Sequence, residues 1–403
     1  MSVKVLIADK LPDEAIEKLD GLDCSVVYDQ GLKDEELVEA MKEEQPQIII
    51  VRSTKINREM IEATESLGLI IRAGAGYNTI DVQAASERSV YVANCPGKNA
   101  VAVAELAMGL LLSIDRRIPD NVAELREGKW NKKEYSKAEG ILGKTLGIIG
   151  TGKIGQEVIS RARAFGMPVI AWSRSLTPER AEEMGVAFCK SPLDVASQAD
   201  VVSVHLAMTP ETKEFIGEKF FSAMKEGAVF LNTSRAEVVD ETALVKAVDS
   251  KGIRAGLDVF TGEPGSKTGE FTNVLKDKPG VYGTHHIGAS TNQAQLAVAD
   301  EAVNIVREYL GSGQVRNCVN LLEKTPAKFV VSVRHRNRVG VLANVLRVIR
   351  DTGINVESME NIIFQGAEGA CANIQIDSGL SKEAQEELVA SSPDIFAVKI
   401  NEL

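Results

Sequence analysis

The chain has 403 residues, which is long for a single hydrophobic core and favours two or three domains. Its 57 acidic residues outnumber its 46 basic ones, and the net charge of -11 gives no electrostatic attraction to nucleic acid or to an anionic membrane surface. The 5 cysteines are widely spaced without a CxxC pair, which fits neither a disulfide framework nor a metal site. The start, MSVKVLIADK, reaches charge too early for a secretory segment, so we expect a cytoplasmic protein.

The first 95 residues alternate short apolar runs with amphipathic segments. Strands are predicted at VKVLIA, CSVVY, QIIIV, GLIIRAG and SVYVANC, with helices near 12–19 and 34–43. Strand and helix repeats of this kind indicate a parallel sheet with helical crossovers. This part therefore predicts one α/β layer.

A helix near 101–112 is apolar nearly all round apart from Glu105, which predicts burial between two bodies. A second series of strands follows at TLGIIG, PVIAWS, GVAF, DVVSVHL, GAVFLNTS and IRAGLDVF. Six parallel strands with helices between them predict a complete doubly wound domain.

The remainder of the chain changes character. A long helix at 293–309 ends at GSGQ, and a looser segment then reaches Pro326. The last portion follows a βαββαβ pattern, which is a ferredoxin-like unit of about 75 residues. The predicted fold class is therefore α/β, with two doubly wound parallel-sheet domains and a small C-terminal ferredoxin-like domain.

The segment GTGKIG follows a predicted strand and opens a predicted helix. In this context Gly150 allows a tight turn, Gly152 leaves room for a pyrophosphate, and Gly155 allows close packing of the helix. The helix N-terminus then faces the diphosphate. We expect these glycines, with Lys153 and Ile154 of the same loop, to bind a dinucleotide.

The second strand of this unit ends at Ser173, where a carboxylate would hold the adenosine ribose of NAD. Ser173 cannot accept both ribose hydroxyls, whereas Ser173 and Arg174 can donate hydrogen bonds to the 2′-phosphate of NADP. The charge argument favours NADP or use of both NAD and NADP. The alternative is that Arg174 points to solvent.

Three polar side chains follow strands of the later half of this domain, namely Arg235, Glu263 and His286. Oxidation of a 2-hydroxy acid needs a proton acceptor, and histidine suits that task near neutral pH. Glu263 would hold the imidazole and favour its protonated form. Arg235 would clamp a carboxylate and polarise the adjacent carbonyl.

These motifs occur in the order and spacing of a known family. GxGxxG at 149–155, N-x-S-R at 232–235, D-V-x-x-x-E-P at 258–264 and H-x-G-A-S at 286–290 resemble the D-isomer-specific 2-hydroxyacid dehydrogenases, over residues 1–315. The resemblance implies that His286 rather than His285 is the acid/base and that Asp258 lies at the cofactor. In one departure, Ala236 and Glu237 follow Arg235 where the family usually has glycine first.

The resemblance also implies a discontinuous substrate-binding domain at 1–96 and 290–315, with the nucleotide-binding domain at 97–289 inserted into it. Residues 316–325 would then be a linker, and residues 326–403 a separate domain.

The loop RAGAGYNTID resembles the family loop that receives the substrate carboxylate on backbone N–H groups. Arginines beyond the one that catalysis needs suggest a second anionic group on the substrate, as in the 3-phosphoglycerate dehydrogenases that this part of the chain resembles. The alternative is that these arginines are ion-paired surface residues. The expected substrate-binding residues are Arg52, Ser53, Arg72, Ala73, Gly74, Ala75, Gly76 and Asn99.

The C-terminal unit resembles the ACT domain, a ligand-sensing module of amino-acid metabolism. The resemblance implies binding of L-serine between paired copies through His335, Asn337 and Asn355, in a homo-oligomer that is a dimer or a tetramer. Val339 replaces a common proline of the module. The alternative is a domain that only mediates dimerisation.

Together these resemblances imply oxidation of 3-phosphoglycerate to 3-phosphohydroxypyruvate by hydride transfer to NAD or NADP, in L-serine biosynthesis. One alternative is an NADPH-preferring glyoxylate or hydroxypyruvate reductase. A more remote one is a nucleotide-sensing corepressor on the same scaffold.

Overall fold

The structure, a computed structural model, describes residues 2–264 and 268–403. Two compact units are present, residues 1–320 and residues 321–403. The first unit contains a five-stranded and a seven-stranded sheet, both parallel, and the second contains a four-stranded antiparallel sheet. The predicted fold class is confirmed.

The five-stranded sheet has the order β2-β1-β3-β4-β5. Its strands are β1 (Val3–Ile7), β2 (Cys24–Tyr28), β3 (Ile48–Val51), β4 (Leu69–Arg72) and β5 (Tyr91–Asn94). The helices between them are α1 (Asp13–Asp20), α2 (Asp34–Glu44), α3 (Arg58–Glu62) and α4 (Val82–Glu87). Strand β3 is a continuous apolar run and is buried on both faces, as expected for the centre of a helix-covered parallel sheet.

Two long helices flank the seven-stranded sheet in the chain. Helix α5 (Ala100–Arg116) packs against that sheet and against α13 (Asn292–Ser312), and α13 packs on the five-stranded sheet. Both helices run further than predicted. Helix α13 includes Gly311 and ends only where Gly313 adopts a left-handed conformation.

The seven-stranded sheet has the order β12-β11-β10-β9-β6-β7-β8. Its strands are β6 (Leu146–Ile149), β7 (Val169–Trp172), β8 (Ala187–Phe188), β9 (Val201–Val204), β10 (Val229–Asn232), β11 (Arg254–Leu257) and β12 (Val281–Gly283). The helices are α6 (Ile118–Arg126), α7 (Lys132–Tyr135), α8 (Lys153–Ala164), α9 (Pro178–Glu183), α10 (Pro192–Gln198), α11 (Glu218–Ala223) and α12 (Glu241–Lys251). The prediction of six strands was wrong by one, because β12 is a short edge strand without a buried apolar run.

Residues 317–320 add a short extension to the five-stranded sheet. The N–H of Val319 donates to the carbonyl of Val92 at 2.8 Å, and the side chain of Asn320 hydrogen bonds to the backbone of Val92 and Val90. Cys318 forms an antiparallel bridge with Ala93. Part of the segment predicted as a linker therefore covers the outer edge of β5.

The second unit has the order β14-β15-β13-β16. Its elements are β13 (Phe329–Arg336), α14 (Val341–Asp351), β14 (Val356–Ile363), β15 (Gly369–Ile376), α15 (Lys382–Ala390) and β16 (Ile395–Glu402). This is the predicted βαββαβ unit, with the apolar faces of both helices packed on one face of the sheet. None of the helices within 2–264 and 268–403 is long and apolar enough to span a membrane.

Candidate active site

Three of the predicted polar residues follow neighbouring strands of the seven-stranded sheet. Arg235 comes after β10, Glu263 lies in the segment after β11, and His286 comes after β12. Because these strands are parallel neighbours, their carboxyl ends share one edge of the sheet, which is where ligands bind in open α/β folds.

His286 and Glu263 form a hydrogen-bonded pair, with 2.7 Å between His286 Nδ1 and Glu263 Oε2. The other carboxylate oxygen of Glu263 accepts the N–H of Phe260 at 2.9 Å. The hydrogen bond to Glu263 raises the pKa of His286 above its ordinary value, against the opposing effect of burial. A carboxylate only accepts, so Nδ1 carries the proton and Nε2 is left to exchange one with a substrate.

Asp258 holds the loop that carries His286. Its carboxylate is 1% exposed and accepts hydrogen bonds from the hydroxyl of Thr284 and from the N–H groups of Ile287 and Gly288, at 2.6, 2.9 and 2.8 Å. His286 has a φ of 53°, a left-handed conformation that side chains other than glycine rarely adopt. These three bonds fix that conformation, so the structure gives Asp258 a task in addition to the predicted cofactor contact.

Arg235 reaches from the nucleotide-binding part to the predicted substrate loop. Its Nη1 donates to the carbonyl of Ser234 at 2.7 Å, and a Cβ added to Gly76 would lie only 2.3 Å from its Nη2. A side chain at position 76 would therefore displace this guanidinium, which lies beside the loop in the space that the glycine leaves. The polypeptide after Arg235 forms a turn of 3-10 helix in which Ala236 is buried, so the departure from the family pattern is accommodated.

The guanidinium groups of Arg52 and Arg235 are close enough to Arg72 for their charges to act on it. Burial, and then the charges of Arg235 and Arg52, lower the pKa of Arg72 to about 10. Within the described residues, no carboxylate oxygen lies within 4.0 Å of these three side chains, and Nε of Arg72 has no hydrogen-bond partner. The guanidinium groups are therefore not ion-paired among the described residues, against the alternative, and the cluster is a positive site suited to an anion.

The predicted substrate loop, residues 73–76, is held by hydrogen bonds from Asn94 and Cys95. The carbonyl of Gly74 accepts the N–H of Cys95 at 2.9 Å, and the side chain of Asn94 donates to the carbonyl of Ala75 at 2.6 Å. A Cβ on Gly74 would overlap Arg72, so this glycine is needed for the arginine to lie across the loop. Sequence reasoning missed Asn94, although it is the last residue of β5 and so lies at the same edge of the sheet as Arg72, which ends β4.

Ser53 differs from its prediction. Its hydroxyl donates to Asp9 Oδ1 at 2.9 Å and its N–H donates to Asp9 Oδ2 at 2.9 Å, so both of these donors serve the protein's own carboxylate. Asp9 itself was missed, even though it follows the predicted strand VKVLIA at the same edge of the sheet.

The glycine loop has the geometry that a dinucleotide requires. Gly150 has a φ of 100°, and a Cβ there would lie 2.6 Å from the carbonyl oxygen of His205. A Cβ on Gly155 would lie 2.2 Å from the carbonyl oxygen of Gly150, whereas nothing lies within 4 Å of a Cβ on Gly152. Two glycines are therefore needed for packing, and the third leaves an open approach at the start of α8, which Lys153 and Ile154 begin.

Several buried polar atoms near these loops lack a partner. Within the described residues they include Oδ1 of Asn99, Oγ1 of Thr233 and Nδ1 of His205. Burial lowers the pKa of His205 to about 4, so its imidazole is neutral. Unpartnered buried polar atoms in a cleft fit a polar ligand such as a dinucleotide. Ser173 follows β7, and Arg174 beside it is exposed.

The three predicted effector residues are not brought together in one chain. His335 is 1% exposed and faces the carbonyl of Arg336 and the side chain of Asn361, while Asn337 donates to Ala367. Asn355 precedes Val356, the first residue of β14. Val356 and Phe329 of β13 both pair with Ile376 of β15, whereas His335 pairs with Ala370 at the other end of that strand. At the rise of a strand, that separation is about 20 Å.

Comparison with known proteins decides the family. Residues 108–288 match the family model described as D-isomer specific 2-hydroxyacid dehydrogenase, NAD binding domain. A hydroxypyruvate reductase of Thermotoga maritima is 41% identical over 311 residues, covering 76% of this chain and 98% of that protein. The chain belongs to the D-isomer-specific 2-hydroxyacid dehydrogenase family. The predicted family is confirmed, and so is the predicted use of a nicotinamide dinucleotide cofactor.

Two further relatives carry the same family fold. A D-3-phosphoglycerate dehydrogenase of Methanocaldococcus jannaschii is 37% identical over 355 residues, covering 88% of this chain. This chain spans 66% of the length of that relative. The crystal structure of NAD+-bound 3-phosphoglycerate dehydrogenase from Entamoeba histolytica superposes with a TM-score of 0.66 and 27% identity, covering 80% of this chain and 100% of that one.

Proposed function

We propose that this protein is a D-3-phosphoglycerate dehydrogenase that oxidises 3-phosphoglycerate to 3-phosphohydroxypyruvate in L-serine biosynthesis. The observation that carries the proposal is the cluster of Arg52, Arg72 and Arg235, whose guanidinium groups form no ion pair among the described residues. One arginine suffices for the carboxylate of a simple hydroxy acid, whereas three fit a substrate with a second anionic group.

Each of the clustered side chains has a role in this oxidation. Arg235 and the backbone N–H groups of Ala75 and Gly76 hold the carboxylate, because those of Ala73 and Gly74 donate to the carbonyls of Val51 and Arg72. Arg52 and Arg72 receive the phosphate. Neutral His286 takes the hydroxyl proton on Nε2, and Glu263 stabilises the imidazolium that forms. A nicotinamide cofactor bound on the glycine loop would accept the hydride from C2.

We expect both NAD and NADP to be accepted, because Ser173 stands where a ribose-binding carboxylate is usual and Arg174 beside it is exposed. Arg174→Ala should therefore raise the KM for NADP several-fold, because an exposed charged contact contributes about 1 kcal/mol or less, and leave the KM for NAD within about twofold. Initial rates at varied cofactor concentration measure both values. An equal effect on the two cofactors would show that the side chain does not contact the 2′-phosphate.

A glyoxylate or hydroxypyruvate reductase is the second candidate, favoured by the Thermotoga relative, 98% of whose length aligns. Steady-state rates on 3-phosphoglycerate, and in the reverse direction on 3-phosphohydroxypyruvate, hydroxypyruvate and glyoxylate, separate the two functions. Preference for the phosphorylated acids supports the proposal. Activity confined to the unphosphorylated acids would contradict it.

We further propose that the second unit binds L-serine between two copies in a homo-oligomer. One copy presents His335 and Asn337 at one end of its sheet and Asn355 at the other, so a site using all three needs two copies. Inhibition by serine, measured together with the oligomeric state by light scattering, tests this. Activity that serine does not change would contradict this proposal and favour the alternative that the second unit only mediates dimerisation.

A further inference from the structure

Asp9 is enclosed by donors from a single turn. Its Oδ2 accepts the consecutive backbone N–H groups of Arg52, Ser53 and Thr54 at 2.7, 2.9 and 2.8 Å, and its Oδ1 accepts the hydroxyl of Ser53 at 2.9 Å. Successive N–H groups that converge in this way form a concave anion-binding nest. Here the nest is filled by the protein's own carboxylate, which is 8% exposed.

Hydrogen bonds favour the ionised form of this carboxylate. Burial alone would raise the pKa of Asp9, but the three backbone N–H groups and the Ser53 hydroxyl hold it below its ordinary value. Hydrogen bonds to an ionised acceptor are stronger than those between neutral groups. The turn at 52–54 is therefore fixed to strand β1 at neutral pH.

The position of this turn determines where Arg52 lies. Asp9 follows β1, Arg52 follows β3 and Arg72 ends β4, and these three strands are neighbours with their carboxyl ends at one edge. The N–H of Ala73 also donates to Val51 at 2.7 Å, so the turn and the substrate loop are joined through the backbone. A displaced turn would move the guanidinium of Arg52 away from those of Arg72 and Arg235.

We propose that Asp9 is a positioning residue for the second anionic group of the substrate, acting through Arg52. This inference rests on the proposed function, in which Arg52 and Arg72 receive a phosphate. Asp9 does not touch the reacting atoms. Its carboxylate accepts the hydrogen bonds of the N–H groups in the turn, so the anion of the substrate binds to the arginine side chains instead of the backbone nest.

The test compares Asp9→Asn with wild type on 3-phosphohydroxypyruvate and on hydroxypyruvate. We expect the KM for the phosphorylated acid to rise about tenfold, the loss of one charge-assisted hydrogen bond, with kcat and the KM for hydroxypyruvate within about twofold. In an Arg52→Ala background the same substitution should add no further change, because Asp9 acts through that side chain. Equal losses on both acids, or additive effects with Arg52→Ala, would overturn the proposal.

Two further measurements keep the test decisive. If Asp9→Asn does not fold, Ser53→Ala is the replacement, because it removes only the hydrogen bond to Asp9 Oδ1. We expect a smaller rise in the KM for the phosphorylated acid alone, and no rise in the Arg52→Ala background. A persisting effect would mean that Ser53 contacts the substrate directly. Asp29→Asn is the matched control, since Asp29 follows β2 and holds an exposed turn through the N–H of Gly31, and it should change neither KM.

Hydrogen exchange separates this inference from the proposed function. The backbone amides of residues 52–54 in the full-length Asp9→Asn protein should exchange at least about tenfold faster than in wild type, with β3 unchanged. This readout needs no substrate. A wild-type protein inactive on phosphorylated acids contradicts the proposed function, whereas unchanged exchange at 52–54 contradicts the role of Asp9.

Discussion

The two parallel sheets present different electrostatics at edges that serve one reaction. At the seven-stranded sheet, His286 is paired with Glu263 and Asp258 accepts three hydrogen bonds. At the five-stranded sheet, the carboxylate of Asp9 is bound by backbone N–H groups, and the guanidinium groups of Arg52 and Arg72 form no ion pair among the described residues. Pairing sets the pKa of a proton acceptor, whereas uncompensated charge attracts an anion. We call the edge with His286 and Glu263 the paired edge and the edge with Arg52 and Arg72 the unpaired edge. Substitutions at the paired edge should lower kcat, and those at the unpaired edge should raise KM.

The largest effect is expected at the paired edge. His286→Gln removes the proton acceptor and should lower kcat about 10³-fold, with the KM for substrate nearly unchanged. Steady-state kinetics in the direction of 3-phosphoglycerate oxidation measure both values. His285→Gln is the matched control and should keep wild-type rates. A variant at position 286 with a tenth of the wild-type rate would contradict the assignment.

Arg235 lies between the two edges and should affect every substrate. Arg235→Lys keeps the charge but loses the two-pronged contact with a carboxylate, so we expect kcat/KM to fall about 10²-fold on phosphorylated and unphosphorylated acids alike. The ratio of the two losses is the informative quantity. A loss restricted to phosphorylated acids would place Arg235 with the unpaired edge instead.

Arg52→Gln tests the unpaired edge and should change KM without changing kcat. Loss of one charged contact corresponds to a rise of about 10-fold to 100-fold in the KM for the phosphorylated acid, with kcat unchanged. Arg58→Gln is the control, because Arg58 is an exposed arginine of the same sheet's helices and is paired with Glu87. A fall in kcat without a change in KM would contradict the division of labour.

The smallest effect is a shift in pH dependence. Oxidation needs neutral His286, so kcat/KM should rise with pH through the pKa of His286, which the hydrogen bond to Glu263 places above the ordinary 6.5. Glu263→Gln weakens that support and should move the midpoint to lower pH. A pH profile of kcat/KM from pH 5 to pH 9 reads this directly. An unchanged midpoint would show that another group titrates.

The order of strands and helices could be predicted from sequence because buried parallel strands are short apolar runs separated by amphipathic helices. The positions of Arg235, Glu263 and His286 followed from motif spacing. The pairing of Asp9 with the turn at 52–54 could not be predicted, because it joins residues 43 to 45 positions apart through backbone N–H groups that carry no sequence signal. The edge strand β12 was missed for lack of a buried apolar run.

The extension formed by residues 317–320 has a consequence for the evolution of this gene. Recombination that adds or removes the second unit should keep this cover over β5 when the junction falls after the codon for Asn320. A junction soon after Gly313 would leave the N–H and carbonyl groups of β5 as an open edge, which invites aggregation. Relatives that lack the small unit should therefore retain a short segment in this place, with its own means of covering that strand.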